Sequence, residues 1–162
     1  MVTDENYPAE LLRGIANSSE QFVTVEGYPR AGAFEFDEYD PNSRDDGFRE
    51  LSINWLDDEV AIDVLLNQIN TRKNTPQFQG GYCRFSRLNL AIIFSSQIEG
   101  GYLSYERRPI EEDREKGIRA NKYHGNILLK NEVSRPMRTD IQAALATLAG
   151  LVIKRDERQN NN

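Results

Sequence analysis

Residues 50–55 alternate between polar and apolar side chains, and this short run constrains the fold more than any other feature of the chain. Leu51, Ile53 and Trp55 are separated by Ser52 and Asn54. Successive side chains of a strand point to opposite faces, so the run predicts a strand with one buried apolar face and one polar face. Such a strand needs partner strands and a covering layer, so the chain must contain a sheet.

A helix pattern follows this strand directly. Asp57 and Asp58 suit a helix N-terminus, because their carboxylates can accept hydrogen bonds from unpaired backbone N–H groups. The apolar residues that follow form one broad stripe and predict a helix over residues 58–70, packed on the sheet. A second helix is predicted over residues 136–153, with a capping-box pattern from Thr139 to Gln142 near its start.

Other alternating or β-branched segments predict further strands, at residues 21–25, 33–37, 82–85, 90–94, 102–106 and 123–130. Residues 90–94 also fit a buried helical turn, and residues 8–14 fit either a short helix or a strand. We therefore expect an α+β fold, with mixed α/β as the alternative, in which two main helices pack on one sheet of about five to seven strands. Residues 1–155 are predicted to form this single domain, and residues 156–162 a polar C-terminal tail.

Several kinds of site are excluded by composition. Cys83 is the only cysteine, so neither an intrachain disulfide nor a cysteine-based zinc site can form. The longest apolar stretch, residues 90–94, is far shorter than the ~20 residues that a membrane-spanning helix needs. The acidic first residues do not resemble a signal peptide. These features predict a cytoplasmic protein with no membrane segment, no metal site and no cofactor.

Charge is distributed unevenly along the chain. Residues 1–60 hold 15 acidic and 4 basic side chains, a net −11, whereas residues 61–162 hold 11 acidic and 16 basic ones, a net +5. A pI near 4.9 does not fit a nucleic-acid-binding domain, so nucleic acid is not expected as a direct ligand. The acidic first third predicts a surface that docks on a basic protein, although a fold that interleaves the two halves would cancel much of this field.

The candidate partner-binding residues lie in one turn-rich segment and are Asp37, Glu38, Asp40, Asp45 and Asp46. Their spacing does not match a calcium-binding loop, because Arg44 intervenes and no glutamate closes the segment at the required distance. They therefore predict a contact surface for a protein rather than a metal site.

His124 is the only histidine and the obvious candidate for proton transfer, because imidazole titrates near neutral pH. Gly125 would allow a ligand to approach the backbone, and Asn126 would share the strand face of His124. The alternative is a structural histidine at the start of a strand. The chain contains no phosphate-binding loop, dinucleotide-binding fingerprint, zinc-protease motif or nucleophile elbow.

Arg107 and Arg108 form a candidate anion-binding pair, to which Asn126 could add a side-chain amide. Paired guanidinium groups bind phosphate or carboxylate in a bidentate manner. The alternative is a solvated arginine pair that neighbouring acids balance.

Three short segments together look like the layout of ADP-ribosyltransferases. They are Leu12-Arg13-Gly14, the strand that carries Ser52, and the following helix with Ala61. The resemblance implies that Arg13 holds a phosphate of a dinucleotide and that Ser52 orders the site. Such transferases place their catalytic acid in a Glu-x-Glu pair, which does not occur downstream here, so Glu106 would have to serve.

Two functional hypotheses follow. The first is a non-enzymatic, cytoplasmic accessory or inhibitory protein, comparable to antitoxins, immunity proteins or complex subunits, whose acidic first third binds a basic protein partner. The alternative is a small transferase or nuclease, such as a toxin, that uses either His124 with an arginine, or Arg13 with Ser52 and Glu106. A small-ligand sensor would instead require an apolar pocket lined by tyrosines and Trp55.

Overall fold

Seven strands and four helices make up the computed structural model, which describes residues 7–155. In chain order the strands are β1 (Glu10–Ile15), β2 (Phe48–Trp55), β3 (Ile69–Asn70), β4 (Thr75–Pro76), β5 (Gly81–Ser86), β6 (Leu103–Arg107) and β7 (His124–Lys130). The helices are α1 (Val60–Leu66), α2 (Arg87–Ile93), α3 (Ser95–Glu99) and α4 (Arg135–Leu148), with a short 3-10 helix at Ala31–Phe34.

The main sheet is antiparallel throughout and has the strand order β5-β1-β2-β7-β6, while β3 and β4 form a separate hairpin. This architecture confirms the predicted α+β class and a single compact domain with a five-stranded sheet. Residues 8–14, which fitted a helix or a strand, contain most of β1. The predicted tail at residues 156–162 lies outside the described residues.

The first face of the sheet carries the larger core. Leu51, Ile53 and Trp55 of β2 are each at most 1 % exposed and pack with residues of α2, α4 and the 3-10 helix. Burying a side chain of this size contributes roughly 1.5–3 kcal/mol. The alternation in β2 therefore predicted the correct buried face.

The second face is divided into an apolar part and a polar part. Leu12 of β1 packs there against Ile62 and Leu65 of α1. Beyond β1, the same face is formed by the alternate residues of β2, β7 and β6, which are mainly polar. This polar part holds most of the candidate site residues.

Two of the predicted strands are wrong. Residues 21–25 form turns with one isolated bridge from Val23 to Pro29, and Val25 is 92 % exposed. The segment predicted as a strand at residues 33–37 begins inside the 3-10 helix, whose Phe34 is fully buried. Alternation alone is not sufficient for a strand, because a strand also needs a neighbour with which to pair its backbone.

The segment at residues 90–94 is also not a strand, and the helical alternative was correct. It belongs to α2, which begins directly after β5. The hydroxyl of Ser86 accepts a hydrogen bond from the backbone N–H of Asn89 and so caps this helix.

The first predicted helix is shorter than expected, because α1 ends at Leu66. Ile69 and Asn70 pair with Pro76 and Thr75 in the β3–β4 hairpin instead of continuing the helix. Asp58 precedes the N-cap residue, Glu59, and its Oδ1 accepts a hydrogen bond from the backbone N–H of Val60 at 2.9 Å.

The second predicted helix, α4, begins and ends earlier than expected. Ser134 caps it by accepting from the N–H of Met137, so the capping-box prediction was wrong. Thr139 lies inside the helix and donates to the carbonyl oxygen of Arg135. The helix ends at Leu148, and Ile153 is in extended backbone that pairs with β5.

Both edges of the main sheet are partly covered. Tyr82 of β5 and Ile153 exchange two backbone hydrogen bonds of 3.0 and 2.7 Å. At the other edge, the phenol of Tyr7 donates to the carbonyl oxygen of Tyr105 in β6 at 3.1 Å. Within residues 7–155, no helix combines the length and the apolar composition that crossing a bilayer requires.

Candidate functional site

Strand register places four of the predicted site residues on the second face of the sheet. Ser52 of β2 lies opposite Asn126 of β7, and Asn126 lies opposite Glu106 of β6. His124 precedes Asn126 by two residues on the same strand and therefore shares its face. The structure thus groups residues that the sequence analysis had assigned to separate candidate sites.

Glu106 is held by an arginine that the sequence analysis did not single out. Arg44, from the loop before β2, donates to the carboxylate of Glu106 through Nη1 and Nη2, at 2.8 and 3.1 Å. Its guanidinium also binds Asp46 at 2.8 and 2.9 Å and Glu50 at 2.9 Å. These four residues, together with Arg108, are called the arginine–carboxylate network below. The only sequence signal for Arg44 was its position as the single cation among residues 35–46.

Glu106 is an engaged carboxylate rather than a free acid. Burial by itself would raise the pKa of Glu106, but hydrogen bonds from Arg44 and Asn126 outweigh burial and hold the pKa below its ordinary value. Asn126 donates its Nδ2 to Oε1 of Glu106 at 3.0 Å. To act as the catalytic acid that the resemblance implies, Glu106 would first have to release Arg44.

Arg107 and Arg108 form salt bridges with different carboxylates. Arg107 donates to both oxygens of Asp57, at 2.8 and 2.7 Å, and its guanidinium lies over the ring of Tyr7. Arg108 donates to Glu50 at 2.8 Å and to the carbonyl oxygen of Ser43 at 3.1 Å. An anion bound by both arginines would have to displace both ion pairs.

Asn126 is fully buried. Its Nδ2 donates a hydrogen bond to Glu106, while its Oδ1 has no hydrogen-bond partner among the residues that the structure describes. A buried oxygen in this state costs about 1–3 kcal/mol. The amide therefore orients Glu106, and in this arrangement it does not reach an external anion.

The hydrogen bond of His124 defines its tautomer. Nδ1 lies 2.7 Å from the carbonyl oxygen of Arg108. A carbonyl can only accept, so Nδ1 carries the proton, and in the neutral ring Nε2 carries the lone pair. Burial is the main reason that the pKa of His124 lies below its ordinary value of 6.5. The ring is therefore neutral at pH 7, with Nε2 as a hydrogen-bond acceptor.

Ser52 and His124 line one small cavity of about 140 Å³. Their strands are neighbours, but the two residues are diagonal to each other, since Ser52 pairs with Asn126 and His124 with Asn54. Diagonal positions are roughly 7–8 Å apart, which is beyond direct hydrogen-bond reach. No hydrogen bond joins them within the described part of the chain, so they do not form a nucleophile–base pair in this structure.

Arg13 fills the gap where β1 and β2 separate. These strands pair only at Leu11 with Trp55 and at Leu12 with Asn54. Beyond that point Arg13 donates its Nε to the carbonyl oxygen of Ala33 at 2.9 Å and its Nη1 to that of Ser52 at 2.8 Å. Withdrawal from water lowers the pKa of Arg13. Arg13 and Ser52 also line one cavity of about 250 Å³, so the structure brings this predicted pair together.

Residues 37–46, called the acidic loop below, carry the five candidate partner-binding acids, and all five residues are exposed. Asp37, Glu38 and Asp40 line a cavity of about 250 Å³ together with Glu50. Partial burial, helped by Glu50 and Glu35, raises the pKa of Asp37 against the opposing effect of Arg13. Asp46 differs from the others, because its hydrogen bonds to Arg44 lower its pKa.

Gly125 and Trp55 have structural positions that differ from their proposed roles in ligand binding. A Cβ at Gly125 would overlap the indole of Trp55 and the carbonyl oxygen of Glu106. The glycine thus makes room for Trp55, whose Nε1 donates to that carbonyl oxygen at 3.0 Å. Trp55 is fully buried in the first-face core and does not line the cavities of Ser52 and His124, of Arg13, or of the acidic loop.

Across residues 7–155, no three His, Cys, Asp or Glu side chains are grouped so as to hold a metal ion. Comparison of the chain with protein-family models, curated proteins and solved structures gave no match. Any functional assignment therefore has to come from the geometry and charge of the chain itself.

Proposed function

We propose that this chain is a non-enzymatic accessory or inhibitory protein of the cytoplasm, which binds a basic protein partner through its acidic loop. Antitoxins, immunity proteins and regulatory subunits are proteins of this kind. One observation carries the proposal: the only cation of the loop, Arg44, is bound by Asp46, Glu50 and Glu106, whereas the other four carboxylates of the loop are exposed and form no salt bridge within the described residues.

This cation belongs to the arginine–carboxylate network. The side chain of Arg44 is only 10 % exposed and contacts Glu50 and Glu106 on the sheet. A free arginine on the loop would cancel part of the negative field around it. Because Arg44 is largely buried and bound by carboxylates, it cancels little of the charge of the exposed acids of the loop.

The exposed carboxylates of the loop other than Asp46 form no salt bridge in the described part of the chain, although Arg13 acts electrostatically on Asp37 and Arg49 interacts with Glu38. Within the described residues, no ion pair joins Asp37, Glu38, Asp40 or Asp45 to a basic side chain. Like charges repel one another, and a basic partner that binds these carboxylates would relieve that repulsion.

The interleaving of the two halves of the chain leaves these acids without a salt bridge among the described residues. Arginines from the second half do pair with acids from the first half, as Arg84 with Glu10, Arg107 with Asp57 and Arg108 with Glu50. This pairing neutralises part of the net −11 of residues 1–60. It does not extend to these exposed acids of the loop, where the field remains available for steering association.

The test is capture of a partner from cells that naturally make the protein, at about 50 mM and about 500 mM salt. We compare the unmodified chain with a loop variant, D37N/E38Q/D40N/D45N, which removes four charges. A matched control, E111Q/E112Q/E115Q/E132Q, removes four charges from exposed positions elsewhere. The proposal expects a stoichiometric basic protein that the unmodified chain and the control retain at low salt, and that the loop variant loses.

Two results would count against this proposal. One is the absence of any stoichiometric partner at both salt concentrations. The other is a partner that the loop variant retains as well as the control does, since that partner would bind at another surface. Equal folding of the three proteins is checked by thermal unfolding.

The second candidate function is a small transferase or nuclease of the toxin class. The observation that favours it is that Ser52 and His124 line one cavity, although no hydrogen bond joins them, and that Arg13 lines the adjoining cavity. In this reading, expression of the chain in a test host should inhibit growth, and His124→Gln should abolish the inhibition. Growth unaffected by the unmodified chain would leave the accessory role as the better proposal.

A further inference from the structure

Three cavities next to the β3–β4 hairpin share lining residues. Gln77, directly after β4, lines all three of them. The largest, of about 490 Å³, lies against the β3–β4 hairpin, and the middle one is the cavity of Ser52 and His124. We call the largest and the middle cavity together the sheet cleft. Ligand sites in proteins typically measure roughly 300–1,000 Å³, so the cleft can hold a small molecule.

The outer part of the cleft is cationic. Arg72 and Arg119 line the largest cavity, and no Asp or Glu lines either part of the cleft. Neither arginine forms an ion pair with any carboxylate in the described ranges. Arg119 is oriented by donating its Nη1 to the carbonyl oxygen of Asn67 at 3.1 Å. Two guanidinium groups without counter-ions are suited to a phosphate group.

The inner part of the cleft is narrow and has apolar walls. Phe78 and Leu65 are buried residues that line the middle cavity, and Ile110 lines both parts of the cleft. The ring of Phe78 lies over Gly14, where a Cβ would overlap it, so this glycine allows the aromatic wall to approach the sheet. Walls of this kind favour a flat ring over a flexible polar chain.

Groups that can recognise the edge of a ring stand between these walls. The side-chain amides of Gln68 and Gln77 line both cavities and form no hydrogen bond with another residue of the described part. His124 presents Nε2 as an acceptor, because its Nδ1 is bound to Arg108, and Ser52 adds a hydroxyl. Together they offer donors and acceptors to a polar heterocycle.

We propose that the sheet cleft binds a nucleoside monophosphate, with the phosphate at Arg72 and Arg119 and the base between Phe78 and Ile110. The chemistry of the cleft carries this inference: cations at the mouth, an aromatic wall, the imidazole and a hydroxyl in the inner part, and two amides that line both parts. A fatty acid would leave those inner polar groups without partners. Inorganic phosphate alone would use only the mouth.

The experiment titrates the full chain with AMP, GMP, CMP and UMP in turn, and isothermal titration calorimetry measures the binding of each. Inorganic phosphate and the four nucleosides are titrated separately as the two halves of the ligand. The proposal expects at least one nucleotide to bind with a 1:1 ratio and a Kd of about 1 mM or tighter. Phosphate and the matching nucleoside should each bind at least roughly tenfold more weakly, because each occupies one part of the cleft.

Two variants with the same change of charge localise the site. R72Q/R119Q removes the cations of the cleft and should weaken nucleotide binding by roughly tenfold or more. K73Q/R114Q removes two exposed cations that do not line the cleft, and it should leave the Kd unchanged. The single variant R72Q provides a second readout if loss of the Arg119 contact destabilises the protein.

Three outcomes would overturn the proposal. They are no binding of any of the four nucleotides at about 5 mM, phosphate binding as tight as nucleotide binding, and an unchanged Kd in both R72Q/R119Q and R72Q. The second of these would indicate a simple anion site at the mouth of the cleft. The cleft residues do not belong to the acidic loop, so failure here leaves the partner-binding proposal unaffected.

Discussion

The indole Nε1 of Trp55 donates a hydrogen bond to the carbonyl oxygen of Glu106, 3.0 Å away. Trp55 belongs to β2 and Glu106 to β6, with β7 between them. The indole reaches across β7 at Gly125, where no Cβ obstructs it. This hydrogen bond ties the largest side chain of the core to the strand that carries the candidate acid.

Gly125→Ala should therefore destabilise the protein by about 1–3 kcal/mol, because the new methyl group forces Trp55 or the backbone of Glu106 to move. The measurement is the free energy of unfolding in urea, followed by the fluorescence of Trp55, the only tryptophan. Gly150→Ala is the matched control, since a Cβ there meets nothing within 4 Å, and its effect should stay within about 0.5 kcal/mol. Equal unfolding free energies for the two variants would contradict this account.

Arg44→Met should destabilise the protein at pH 7 by about 2 kcal/mol, because Asp46, Glu50 and Glu106 would then lie together without their shared cation. The pKa of Glu106 is lowered in the folded state. Ionised Glu106 therefore stabilises the fold above its unfolded pKa near 4.5, and this stabilisation is lost as the pH falls through the pKa of the folded state. The difference between variant and unmodified protein should therefore shrink under acidic conditions. Urea unfolding at pH 7 and at about pH 3.5 measures it.

The double variant R44M/E106Q separates repulsion from lost packing. Removing the charge of Glu106 should recover part of the stability that Arg44→Met loses at pH 7. A loss from Arg44→Met that is the same at both pH values, and that E106Q does not relieve, would show that the arginine acts through packing alone.

The strands were predictable where their alternate residues enter the first-face core. In β2, β6 and β7 the apolar positions that enter this core are buried, so the two-residue period survives in the sequence. Residues 21–25 carry the same period, but Val25 is exposed, because this segment has no strand beside it along its length. Periodicity records which residues prefer burial, and it does not record whether a pairing partner exists.

The candidate site was only partly predictable, for a related reason. Glu106, Asn126 and His124 could be named by their chemistry, but their grouping depends on the register between β6 and β7. The contact of Arg44 with Glu106 could not be assigned, because the two residues are 62 positions apart in the sequence. Charge pairing across strands follows the topology, and no local pattern encodes it.

His124 should make stability depend on pH near neutrality. Burial lowers its folded pKa below the value of 6.5, so the unfolded chain binds a proton more readily, and stability falls as the pH decreases below that value. His124→Gln should lack this part of the pH dependence. Urea unfolding of both proteins between about pH 5 and 8 tests it, together with an NMR titration of the imidazole. Parallel stability curves, or an imidazole pKa above 6.5, would contradict the prediction.

Cys83 should be inert to thiol reagents while the protein is folded. It is fully buried, and burial raises the pKa of its thiol to about 12, although Arg13 opposes the shift. Since the thiolate is the reactive form, iodoacetamide at about pH 8 should modify the folded protein only as fast as it unfolds. The rate of modification, followed by mass spectrometry, should rise steeply in urea, with Cys83→Ala as the unreactive control. Rapid modification without urea would show that the thiol is accessible.

The backbone pairing of Tyr82 with Ile153 and the contact of the Tyr7 phenol with Tyr105 affect how copies of this protein can meet. An unpaired strand edge is a template on which another polypeptide can add a strand. Here Ile153 of the same chain pairs with the β5 edge of the sheet, and the side chain of Tyr7 contacts the middle of the β6 edge. Growth of the sheet from molecule to molecule is thereby disfavoured.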